Sequence, residues 1–370
     1  MRIKKIFLKN GYKRFKQLTI DLGENPARII ALVGPNGCGK SSVLDGLLFH
    51  HNTHSRLGDT VGRNSSYHSM DDLPVYNHTN VDIEFATGTY SQIRNDLDAT
   101  GKGTTMFSFR SPYRYNSELK VREIRANSEI RLNNYGASDA SSLDGKMENN
   151  YRRLLGIVNK FMEENDVKPS EARIKIIGDL NKSIRKCLDL EISSVGNVEG
   201  AQGTLYFKKA NHPKEFEFNV LSSGEKEVVD ILLDLYLRKN DYDNSVFLID
   251  EPELHISTSI QGKLLIEINR LVGENCQIWL TTHSMGFLRA LQTKLKDVCQ
   301  IIEFRDEYEL ASKPFVLRPM KATAQAWREL FAVALDDLAT LVSPRVRTHS
   351  QNMTTAARAQ ADMKMSAHLS

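Results

Sequence analysis

Residues Gly34-Pro35-Asn36-Gly37-Cys38-Gly39-Lys40-Ser41 follow the spacing G-x-x-x-x-G-K-[ST], and each residue type in it has a chemical reason. Glycine lets successive backbone N–H groups turn inward around phosphate oxygens. A helix that starts where the loop ends adds its partial positive charge. The Lys40 ammonium would reach the β- and γ-phosphates of ATP, and the Ser41 hydroxyl would bind Mg²⁺. Asn36, Gly37, Cys38, Gly39, Lys40, Ser41 and Ser42 are therefore the candidate nucleotide-binding residues. Cys38 lies near a helix start, which favours thiolate; it reads either as a small tolerated residue or as a redox-sensitive one.

A second group of polar residues stands far along the chain. Val246–Ile249 is a short apolar run, the pattern of a buried strand, and Asp250-Glu251 ends it. Ligands of parallel α/β sheets collect at the carboxyl ends of the strands. Asp250 is thus expected beside Ser41 on the metal side, with Glu251 polarising the attacking water as general base. Leu221-Ser222-Ser223-Gly224-Glu225 opens another helix. Ser222 and Glu225 have the spacing of a capping box, and the same serine- and glycine-bearing helix start is an anion site.

These groups need elements to bring them together. Ile3, Ile6 and Leu8, then Leu18, Ile20 and Leu22, read as two strands joined around Gly11-Tyr12. Arg28–Val33 reads as a strand buried on both faces, and Val43, Leu44, Leu47 and Leu48 share one face of the helix after the glycine loop. Residues 51–80, rich in His, Asn, Ser and Gly, read as a loop or lid, and His50-His51-Asn52-Thr53-His54 as a polar stretch rather than a metal site. Met147 to Met162 has strong helical periodicity, and Pro169 starts a second helix running to about Leu188. Thr204–Lys208 and Glu215–Val220 read as a hairpin. Strands and helices then alternate to about Leu310, before a helix through Trp327, Leu330, Phe331, Leu335 and Leu338.

The phrases GPNGCGKS, LSSGE, FLIDEPELHIS and LTTHS, in this order, resemble the ABC-type ATPase superfamily. Within it the chain resembles RecF- and SMC-like heads, and most of all the ATPase of OLD-family nucleases and related prokaryotic phage-defence ATPases. The resemblance covers roughly residues 1–341. It implies an α/β fold, a P-loop ABC-type ATPase head with a helical and hairpin insert between the Walker A loop and the signature motif. It also implies a head-to-head homodimer in which Ser222 and Gly224 of one copy cap the γ-phosphate held by Lys40 of the other. His283 matches the switch histidine at that phosphate, so Glu251, His283 and Lys40 are the implied catalytic set. Pro252 to Ser257 takes the place of the D-loop. The pattern departs from transporter ATPases at Ser223 and Glu225. It also lacks a clear glutamine loop, for which Gln92 is a weak match, and that role is left unassigned.

The divisions expected are a split core (1–100 and 204–341), an insert lobe (about 101–203) and a flexible basic tail (342–370). About 180 residues separate Lys40 from Ser222, too few for a long SMC-type coiled coil. Within the insert, residues 102–131 interleave Lys102, Arg110, Arg114, Lys120, Arg122, Arg125 and Arg131 with Phe107, Phe109, Tyr113 and Tyr115. Such interleaving binds a nucleic-acid backbone or forms a solvated or protein-binding face. The tail carries Arg345, Arg347, Arg358 and Lys364 against Asp362, so a complete TOPRIM nuclease, which needs several acids, is expected to be absent from the polypeptide.

Composition adds limits. With 41% hydrophobic and 26% charged residues and a net charge of +3, the chain is neither fibrous nor disordered, nor uniformly basic. Four scattered cysteines suit a reducing cytoplasm, and no apolar run approaches a bilayer span. The expectation is a cytoplasmic Mg²⁺-dependent ATPase dimer, without membrane contact, that gates or powers a nuclease or toxin effector in phage defence. The alternative is a RecF-like DNA-binding clamp switched by ATP in DNA repair.

Overall fold

Strands with no polar face to offer water form the centre of the molecule. In the computed structural model, which describes residues 1–54, 76–111, 146–196, 203–209, 212, 214–305 and 311–340, β3 (Ile29–Val33), β9 (Val246–Asp250) and β10 (Gln277–Thr282) are buried along their whole length. With β5 (Phe107–Arg110) and β11 (Cys299–Glu303) they make a five-stranded sheet in the order β11-β3-β10-β9-β5. Every pairing in it is parallel. Alternate side chains serve separate cores. Ile29, Ala31, Val33, Ile249 and Ile278 face one side, and Ile30, Leu32, Leu248 and Trp279 the other.

On the first face lie α5 (Ser223–Arg238), α6 (Thr258–Leu271) and α7 (Met285–Thr293). The helices α3 (Lys146–Asn165) and α4 (Pro169–Cys187) stack on α5 and α6. On the second face, α1 (Lys40–His54) is held between the parallel sheet and a sheet ordered β12-β2-β1-β4. Those strands are β1 (Ile3–Leu8), β2 (Gln17–Asp21), β4 (Val81–Phe85) and β12 (Pro314–Leu317). The apolar stripe Val43, Leu44, Leu47 and Leu48 of α1 is buried there as its periodicity requires, each side chain contributing about 1.5–3 kcal/mol. The helix α2 (Tyr90–Ala99) follows β4, and α8 (Ala324–Thr340) packs Trp327 and Leu330 beside α7. A small antiparallel sheet, β6 (Glu191–Ser194), β7 (Tyr206–Lys208) and β8 (Phe216–Glu217), leads into α5.

Several expectations need correction. The core does not stop at residue 100, because β5 completes the parallel sheet with Phe107 opposite Val246 and Arg110 opposite Ile249. Nor do α3 and α4 form a separate lobe, since Tyr151, Leu154, Leu180 and Ile184 share one apolar core with α5 and α6. Within the basic and aromatic segment, Phe107 and Phe109 are buried and Lys102 pairs with Asp243 at 2.6 Å. Arg110 is buried against Glu227, Asp230 and Asp234. Arg110 is therefore no phosphate contact: its guanidinium is spent inside the protein. Arg114, Lys120, Arg122, Arg125 and Arg131 lie outside the described residues, as does the tail from 341 onward. Residues His51–His54 continue α1 instead of opening a loop, because His51 packs on Phe107 and bonds Tyr90 at 2.9 Å. Of the second strand of the expected hairpin, Glu215–Val220, Phe216–Glu217 pairs with β7 as β8, and Phe218–Val220 is a 3-10 turn.

Candidate functional site

The strands β3, β10 and β9 are neighbours, so their carboxyl ends bring three distant segments to one edge. Register sets Thr282 opposite Val33 and Thr281 opposite Asp250. After Val33 the chain makes the glycine loop and enters α1 at Lys40, which puts the positive end of the helix dipole at the loop. Lys40 is buried, and its Nζ donates to the carbonyls of Gly34 and Pro35, both at 2.8 Å. Gly39 has a φ of 101°, where L side chains are strained. A Cβ there would also lie 2.4 Å from Phe15 and 2.8 Å from Arg14. The β1–β2 turn thus presses Arg14 and Phe15 against the loop. Sequence reasoning missed this contact, although Lys13-Arg14 at the turn was a usable signal.

Ser41 and Asp250, 209 residues apart, meet where Oγ donates to Oδ1 at 3.1 Å. Thr281 Oγ1 donates to the same carboxylate oxygen, and Asp250 is fully buried. A buried carboxylate among hydroxyls is a hard oxygen donor set of the kind Mg²⁺ takes. The residues present therefore fit the ion. Among the described residues no cluster of three or more His, Cys, Asp or Glu suggests another metal site.

Glu251 follows directly, in a left-handed conformation (φ 44°) uncommon for a side-chain-bearing residue. Such strain concentrates at functional sites. Its N–H donates to Thr281 Oγ1 at 3.0 Å, and its Oε1 lies 3.7 Å from His283 Nδ1, an ion-pair distance rather than a hydrogen bond. Glu251 holds His283 above the ordinary imidazole range, while burial pulls the other way. Glu253, buried and two residues on, accepts from Thr282 Oγ1 and from the His283 N–H. Burial pushes its carboxyl above the usual carboxylate range.

Ser222 and Gly224 lie elsewhere in this arrangement. Ser222 caps α5 in the full capping box, with Ser222 N–H to Glu225 Oε2 at 2.9 Å and Glu225 N–H to Ser222 Oγ at 3.3 Å. Gly224 abuts the turn after Glu251, where a Cβ would stand 2.6 Å from the His255 carbonyl oxygen. Among the described residues no hydrogen bond links Ser222 to the phosphate loop of its own chain.

Three other sequence candidates have structural duties. Gln92 completes a capping box with Thr89 at the start of α2. Cys38 is buried, which pushes its thiol up against the pull of Lys40, so the geometry favours the small-residue reading. His50 Nδ1–H donates to the Val81 carbonyl at 3.0 Å, and burial lowers its pKa to about 4. Asn36, Gly37 and Ser42 lie within the loop and the first turn of α1.

No curated protein matches the chain. Among solved structures it resembles an SMC head domain from Pyrococcus furiosus, with an extended coiled coil and bound to the C-terminal domain of ScpA. That match has 15% identity over 90% of this chain and 98% of that one, at a TM-score of 0.47. An SMC head domain from Thermotoga maritima has 15% identity over 87% and 100%, at 0.43. An SMC head bound to the C-terminal winged-helix domain of ScpA has 15% over 89% and 100%, at 0.49. At this distance no residue role follows from them. A family model described as "AAA domain, putative AbiEii toxin, Type IV TA system" matches residues 29–289, from β3 into α7 and so across the whole site. On that match the chain belongs to this AAA-domain family of P-loop ATPases.

Proposed function

We propose that the protein binds ATP with Mg²⁺ and hydrolyses it in a head-to-head homodimer with two composite sites. The observation that carries this reading is the meeting of Ser41 with Asp250 at 3.1 Å, with Glu251 and His283 immediately beside them. The glycine loop and Lys40 bind the phosphates; Ser41 and Asp250 would hold the ion, which when bound offsets charge on the phosphate oxygens. Glu251 orients and deprotonates the attacking water, and His283 donates to the γ-phosphate. The exposure of Ser222 at the start of α5 supports a role toward a second copy, because a helix N-terminus that meets solvent favours anions.

ATP turnover in this reading gates a nuclease or toxin effector in prokaryotic defence, supported by the family's description as a toxin of a type IV toxin–antitoxin system. The clamp reading loses one of its supports with the burial of Arg110. The reading places the protein in the cytoplasm; among the described residues no helix is long and apolar enough to cross a membrane.

The test is steady-state hydrolysis at rising protein concentration. The rate per subunit should rise, Lys40→Ala should abolish nucleotide binding, and Glu251→Gln should bind ATP yet lose about 10²- to 10⁴-fold in turnover. A rate per subunit independent of concentration, with a monomer by light scattering, would sink the composite site. Retained turnover in Glu251→Gln would sink the base assignment.

A further inference from the structure

The turn from Glu251 to Ile256 meets the end of β10 and the start of α5, and Glu253 is its buried carboxylate. Its Oε1 accepts two hydrogen bonds from the end of β10: one from Thr282 Oγ1 and one from the His283 N–H at 3.1 Å. Thr282 Oγ1 accepts in turn from the Ser284 N–H at 3.0 Å. Ser284 caps α7, and its hydroxyl donates to Gln261 Oε1 at 2.6 Å. Gln261 closes the circuit by donating from Nε2 to the Ile256 carbonyl at 2.9 Å. The two turns that carry Glu251 and His283 are thus tied by a closed ring of hydrogen bonds. Glu253 is the tie at the His283 end.

We infer that Glu253 is a positioning residue: it fixes the backbone at Thr282 and His283, and so the imidazole, relative to Glu251. The inference rests on the hydrolytic reading above. Glu253 has no geometric need to touch nucleotide, since its contacts run to Thr282 and His283. Its Oε2 is buried and has no hydrogen-bond partner among the described residues, a costly arrangement for an ionised carboxylate. A neutral acid in this place needs only its acceptor oxygen to hold the two N–H and O–H groups. Chemistry then distinguishes two substitutions. Glutamine keeps the acceptor and the volume, whereas leucine keeps only the volume.

Glu253→Leu should lower kcat by about 10- to 100-fold, the cost of displacing a catalytic group by a fraction of an ångström to one ångström, while the affinity for ATP stays within about twofold. Glu253→Gln should retain at least about a third of wild-type turnover, because its amide oxygen supplies the same acceptor. The decisive comparison is a double-mutant cycle with His283→Ala. If Glu253 works through His283, adding Glu253→Leu to His283→Ala costs nothing further. Additive losses, a parallel loss of ATP affinity, or a Gln variant as damaged as the Leu variant would each overturn the inference. Hydrogen exchange provides a readout that needs no turnover. The His283 amide should be protected in the wild type and in Glu253→Gln, and exchange faster in Glu253→Leu. Unchanged protection in Glu253→Leu overturns the positioning role whatever the enzyme does. Absence of hydrolysis by the wild type would instead remove the reading on which the role rests, and it would be seen before any variant is made.

Discussion

At the residue scale, histidines set opposite pH dependences. His51 is fully buried, packed on Phe107 and bonded to Tyr90, and burial lowers its pKa to about 3; that of His50 falls to about 4. Both lie below the unfolded value of about 6.5. As pH falls below 6.5 the unfolded chain takes up protons first, so their contribution is complete above that pH. It is lost as pH falls toward 4 and 3, at a slope approaching about 1.4 kcal/mol per pH unit for each histidine. Urea midpoints of the wild type should drop steeply between about pH 6.5 and 4.5, and His51→Phe should flatten that drop. Parallel curves would show that burial of His51 is not its cause. His283 has the reverse sign. Its pKa is raised beside Glu251, so its stabilisation is present below about 6.5 and is lost as pH rises through the folded value. His283→Ala should therefore cost more stability at pH 6 than at pH 8.5.

At the scale of elements, α5 is anchored at two levels. Its first turn meets the His255 carbonyl through Gly224. Along its length Glu227, Asp230 and Asp234 face Arg110 of β5, while Asp234 also accepts from Arg238 at 2.9 Å and Asn150 of α3 at 3.3 Å. Burial works against the Arg110 charge, but the three carboxylates outweigh it and keep the guanidinium protonated. Removing one partner from such a cluster leaves the others buried and uncompensated. Arg110→Met should therefore destabilise the fold by about 3–5 kcal/mol, read as a lowered denaturant midpoint at unchanged slope. A loss below about 1 kcal/mol would place the cluster with weak surface pairs.

At the scale of the molecule, the parallel sheet is the shared wall of two cores. The chain has two tryptophans, and one lies in each: Trp279 with α1 and the antiparallel sheet, Trp327 with α7 and the helical face. Because alternate residues of β3, β9 and β10 belong to both cores, neither can melt without exposing the other. Single-tryptophan proteins made by Trp279→Phe and Trp327→Phe should show coincident midpoints when each is compared with its own far-UV circular dichroism. Fluorescence that changes well before the circular dichroism in either would reveal separable units, and would restore the independent lobe that α3 and α4 were expected to form.

The phosphate loop, its flanking strand and helix, the strand that ends at Asp250-Glu251 and the capping box at Ser222 were all legible in the sequence. Each is a local matter of backbone freedom, apolar periodicity and residue spacing within a dozen positions. The tertiary structure alone decided what depends on partners far away in the chain. Phe107-Ser108-Phe109-Arg110 read as a nucleic-acid, solvated or protein-binding face, and not as core, because the acids that bury Arg110 lie 117 or more residues later, on a helix that only folding brings beside it. His51 looked like loop because nothing nearby in sequence shows the Tyr90 and Phe107 that bury it. Glu253 was one acid in a charged turn until β10 delivered Thr282 and His283 to its carboxylate. Residue types and spacing determine which chemistry is available, and sheet order determines which of those residues meet, because a parallel sheet pairs strands without regard to their separation along the chain.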